Sequence, residues 1–200
     1  MPLVIAAGLL AGTLGAVLTV LAEHSRIALG GYTLFGNGAF IVPSLFIPYA
    51  IFAGWTWLIR RGGRALELAL FAVGLHFGLG VISILEVLFF PSVPGLTLAD
   101  AAPGFVFTGA IFVDPAALLA ALALWAIRAA TGRLLVLAVA ASLFVATALG
   151  FVFGIGLGVL AGAAAGLAER EPSRTRQIAI VLAVLVVILG DLPYLGQIAE

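Results

Sequence analysis

Nine arginines and no lysine supply the fixed positive charge of this chain, and eight of the nine fall in three clusters divided by long apolar runs. The clusters are Arg60, Arg61 and Arg64; Arg128 and Arg133; and Arg170, Arg174 and Arg176. Arginine is costly in hydrocarbon and concentrates on the cytoplasmic side of membrane proteins. The side of a bilayer that each cluster occupies therefore constrains the fold more than local propensity does.

Hydrophobic residues make up 64% of the chain and charged residues 9%, against roughly half and a quarter in soluble domains. Lipid is then the expected solvent. Crossing ~30 Å of hydrocarbon takes about 20 apolar residues. Suitable runs lie near 2–22, 39–59, 65–90, 104–127 and 177–190. The stretch 134–168 would be about 52 Å long as one helix. Split near Thr147–Gly150, it gives two short spans, 134–149 and 150–168.

All three arginine clusters share one side only if 134–168 crosses twice. The sequence thus predicts an all-α, polytopic transmembrane helix bundle, a single integral membrane domain over 1–200 with about seven spans. Six spans, with 134–168 as one long tilted helix, is the alternative. The N-terminus and the arginines would lie inside a cytoplasmic-type membrane, such as a cell inner membrane, and the C-terminus outside. The inner side carries eight arginines against Glu67, Glu169 and Glu171, +5 in all. The outer side carries Arg26 against Glu23, Glu86, Asp100, Asp114, Asp191 and Glu200, −5 in all. Trp55, Trp57 and Trp125 are expected at the inner interface. Val20-Leu21-Ala22 has the small residues of a cleavage site, but no basic segment precedes the first run, so 2–22 is expected to be a retained span.

Several chemistries are disfavoured. With no cysteine, disulfides and thiolate metal sites are excluded, and with no lysine, Schiff-base chemistry is excluded. Zero net charge leaves no nucleic-acid footprint. There is no HExxH or GxSxG, and Gly154-Ile155-Gly156 follows no strand. No cofactor is expected, no catalytic residue is assigned, and no metal is specified.

Four features could carry function. Gly150, Gly154, Gly158, Gly162 and Gly166 recur every four residues on one helix face, a glycine zipper. Such a face lets two backbones approach closely in lipid, within the bundle or against another subunit. Ala7, Ala11 and Gly15, with Gly8, Gly12 and Ala16 beside them, make a weaker version in the first span. His76 lies near the middle of the third span, with Gly80 and Ser83 on its face; an ionisable group there is a functional candidate, or a neutral imidazole satisfied by a neighbour.

Asp114 lies at similar depth in the fourth span, so the two could pair near the midplane and serve proton coupling or cation binding. The competing reading makes Asp114 a helix N-cap with Pro115 at N1, leaving 104–113 as a broken or re-entrant piece. Pro43 and Pro48 invite a kink in the second span. The fourth feature is an outer set of Glu23, His24, Glu86, Asp100 and Asp191, either a mouth that attracts cations or ordinary interfacial charge. Asp191, between Gly190 and Pro193, resembles a helix stop.

In its size and small-residue first helix the chain resembles the substrate-binding subunits of energy-coupling-factor vitamin transporters. No specific motif carries the resemblance, and no residue role follows from it. Three functional expectations result. The first is a small transport or solute-binding protein with a cavity open to the outer side between the second, third and fourth spans. The second is a non-catalytic subunit or homo-oligomer that docks through its Gly/Ala-rich faces. The third is a lipid-modifying enzyme using His76 or Glu86 as base.

Overall fold

The computed structural model describes residues 1–24, 28–29, 32–33, 38–90, 95–149 and 155–170. These contain six helices: α1 Pro2–Glu23, α2 Gly38–Arg60, α3 Ala65–Phe89, α4 Leu98–Ala129, α5 Arg133–Leu149 and α6 Ile155–Arg170. Between α1 and α2, β1 Ala28–Leu29 pairs antiparallel with β2 Tyr32–Thr33. Helices α1 to α4 are long and apolar enough to cross a membrane. The stretch 134–168 is not one long helix, because α5 and α6 are separate and pack side by side. The predicted last span, 177–190, lies outside the described residues, as do Gly150, Gly154, Arg174, Arg176 and Asp191.

Close backbone contact organises the bundle. A β-carbon on Gly8 would collide with the Phe71 carbonyl, and one on Gly12 with the Leu75 carbonyl. From the other side, Gly74 meets Ile5 and Gly78 meets Leu9. Contacts that advance together along both chains make α1 and α3 parallel. Likewise Gly158 lies on Ala116 and Gly162 on Ala120, so α6 runs parallel to α4. The described part of the glycine face, Gly158, Gly162 and Gly166, thus packs inside the bundle on Ala116, Ala120 and Ile127. Helix α6 is buried almost all round, between α2, α4 and α5. Small side chains on every side permit that central position, as expected of a helix without a polar face.

The surface is correspondingly apolar. Leu10 and Leu14 on α1, Phe107 and Leu118 on α4, and Val136 and Phe144 on α5 are all exposed. In water such a surface would aggregate; in lipid it is solvated.

Charge sorts to the two ends. Arg170 donates to the carbonyls of Arg128 and Ala130, capping the C-terminus of α4, and Arg128 Nε lies 2.6 Å from Glu169 Oε2. Arg133 follows in the next helix, and Arg60, Arg61 and Arg64 join α2 to α3 at the same end. Glu23, His24, Glu86 and Asp100 belong to the opposite end. Tryptophan lies toward the arginine end but not as a uniform belt. Trp125 is 71% exposed, and Trp57 lies under the Arg61 guanidinium at 4.4 Å. Trp55, in contrast, is buried and donates its indole N–H to the Leu68 carbonyl. A partner within the bundle satisfies that group better than the interface would.

Candidate functional site

Helix α4 is continuous through Pro103 and Pro115. Its N-cap is Thr97, whose backbone N–H and hydroxyl both donate to Asp100 Oδ2 at 2.7 Å. Asp114 is therefore not a cap, and 104–113 is neither broken nor re-entrant. Proline removes one backbone donor, but the flanking turns stay helical because Gly109, Phe112, Val113 and Ala116 are all buried against the bundle. Asp114 is the seventeenth of 32 residues in α4, and His76 the twelfth of 25 in α3. The two helices pack antiparallel, with Gly80 against Phe105 and Gly104 against Ser83, so their centres meet.

At that meeting point His76 Nδ1 lies 2.9 Å from Asp114 Oδ1. With the carboxylate ionised, Nδ1–H donates, and Nε2 carries the lone pair that can accept a proton or a ligand donor. The histidine is only 12% exposed, whereas Asp114 is 57% exposed. The imidazole fits because residue 109 is glycine; a β-carbon there would overlap the ring. Gly109 was not singled out from sequence, and its signal is a glycine inside an apolar helix with no turn to make. Ser83 belongs to the same α3–α4 contact, about two turns along from His76.

Asp114 occupies an otherwise apolar exposed stripe of α4 that includes Phe107, Ile111, Leu118, Leu122 and Trp125. One turn beyond the pair, a groove of about 380 Å³ opens between α3 and α4. Ala69, Ala72, Ala117 and Ala121 make its walls, Trp55 and Trp125 flank it, and Arg128 lies at its far end. The groove thus runs toward the arginine end. It lies on the arginine side of the pair, whereas the expected cavity was at the acidic end between α2, α3 and α4.

At the acidic end the structure joins three of the expected residues and separates a fourth. His24 Nε2 lies 3.1 and 3.2 Å from the two oxygens of Glu86. One donor atom from each of Glu23, His24 and Glu86 lies within 4.8 Å of the others. The His24 ring stacks on Phe90, with centroids 3.7 Å apart and planes 6° from parallel. Asp100 is instead held at the start of α4 by Thr97.

Among the described residues, the fold and site define a helical bundle with four helices long and apolar enough to cross a membrane and a polar pair near their middle. No protein-family model, curated protein or solved structure matches the chain.

Proposed function

We propose that this chain is a small integral membrane protein that binds or transports a solute at the His76–Asp114 pair. One observation carries the reading: a carboxylate hydrogen-bonded to a largely buried histidine, yet itself more than half exposed, at the middle of two potential spans. Holding an ionisable pair in hydrocarbon is costly, and pairs of this kind mark proton relays and ion or solute paths. The adjoining groove has the size and apolar lining of a small-ligand site. A protonated or hydrogen-bond-donating group on a solute would meet Asp114 while its apolar body lay against Leu118 and Trp125. The arginine end faces the cytoplasm in this reading, so the groove opens toward the inner leaflet and the acidic end faces outward.

A second reading draws support from the same exposure. Asp114 and its apolar stripe would also suit contact with a helix of another membrane protein, making the chain a non-catalytic subunit. Purification from native membranes in mild detergent, followed by mass spectrometry, separates the two. A bound small molecule without partner proteins supports solute binding. Stoichiometric partners support the subunit reading and count against the first.

A further inference from the structure

We propose that Glu23, His24 and Glu86 form a binding site for a divalent transition-metal ion of the zinc type. The proposal does not depend on the reading of His76 and Asp114, which lie about 15 Å away along α3.

The donors are one imidazole nitrogen and two carboxylates, within 4.8 Å of one another. This mixed set suits a borderline ion. Imidazole favours zinc over magnesium, calcium and manganese, and the absence of thiolate or thioether disfavours soft ions. Three protein donors also leave at least one coordination position for water.

Close backbone packing brings the two helix ends together. Glu23 ends α1 and Glu86 lies in the last turn of α3, and these parallel helices are locked together by the contacts at Gly8, Gly12, Gly74 and Gly78. The imidazole is also oriented in advance. Stacking on Phe90 fixes its plane, and Nε2 points into the Glu86 carboxylate. A ligand held in this way loses little freedom when an ion arrives.

Charge points the same way. The cluster brings two carboxylates together where the helices leave the apolar core, and all six described arginines belong to the other end of the bundle. A divalent ion neutralises both carboxylates. It would take the place of the hydrogen between His24 Nε2 and Glu86, and the neutral imidazole would then carry its N–H on Nδ1.

The test is calorimetric titration of Zn2+ into the detergent-solubilised full chain, purified on a tag without histidines and stripped with chelator. The expected result is one Zn2+ per chain, with Mg2+ bound at least tenfold more weakly. His24→Ala and Glu86→Gln should each weaken Zn2+ binding roughly tenfold or more. Asp100→Asn, at the same end but outside the cluster, should keep wild-type affinity. Absence of Zn2+ binding by the wild type, or unchanged affinity in both cluster variants, overturns the proposal. If the variants fail to fold, X-ray absorption of the Zn2+-loaded wild type decides. Nitrogen and oxygen scattering with one imidazole supports the site, and an all-oxygen shell overturns it.

Discussion

His76 and Asp114, 38 residues apart in the chain, lie 2.9 Å apart across the α3–α4 contact, with the histidine sheltered and the aspartate turned outward. That asymmetry separates their roles. His76 is held by its surroundings, while Asp114 is held mainly by His76 and presents itself to whatever adjoins α4.

Substitution of the two should therefore differ in effect. Asp114→Asn removes a charge from an apolar surface and retains hydrogen-bonding capacity, so its effect on stability should be within about 1 kcal/mol. His76→Ala leaves a carboxylate unpaired and a void beside Gly109, and should cost ~2–4 kcal/mol. Denaturant or thermal unfolding in detergent measures both. Equal losses would mean that Asp114 is anchored by more than the histidine.

Gly109→Ala tests whether the pair needs its glycine. The added methyl would occupy space now filled by the imidazole. Displacing the ring should cost roughly 1–3 kcal/mol and lower the amount of solute retained. A variant with wild-type stability and ligand content would show that the ring can move without consequence.

Buried and outward-facing positions should differ in how strongly they respond. Gly162→Val drives a side chain into the Ala120 carbonyl, and α4 and α6 must separate; loss of more than ~3 kcal/mol, or failure to accumulate, is expected. Leu137→Ala on the exposed face of α5 should change stability by less than about 0.5 kcal/mol. Expression level and unfolding midpoint compare the two.

Orientation can be read with single cysteines, since the native chain has none. Cysteine at Arg61 or Arg133 should be shielded from a membrane-impermeant thiol reagent added to intact cells. Cysteine at Leu98, at the start of α4, should react. The reverse pattern would invert the proposed topology while leaving the bundle unchanged.

Apolar length and charge clustering made part of this bundle legible in the sequence. Apolar length picked out the four long helices α1 to α4, and 134–168 holds two helices, α5 and α6, rather than one. Helix rotation was harder to read. Helix α4 is apolar on most sides, so the sequence gives little sign that Asp114 faces outward or that Trp55 on α2 faces inward. Asp114-Pro115 has the form of a helix start, the reading that competed with the pair, but Thr97 and Asp100 cap the helix and α4 continues through Pro115. The glycine spacing of α6 indicated a close contact without naming its partner, which is α4. Ser83 and Gly104 illustrate the same limit, since their contact depends on the relative sliding of two helices. Glu23, His24 and Glu86 were placed at one end by sequence, but their convergence follows from the parallel packing of α1 on α3, which depends on three-dimensional contacts.

Comparison of the small molecules retained by wild-type protein and by Asp114→Asn, both purified from native membranes in the same mild detergent, tests the central claim most directly. The account predicts a bound solute in the wild type that is lost, or reduced at least tenfold, in a variant that remains folded. A folded variant carrying the same solute at the same occupancy, or a wild-type protein carrying none, would contradict it.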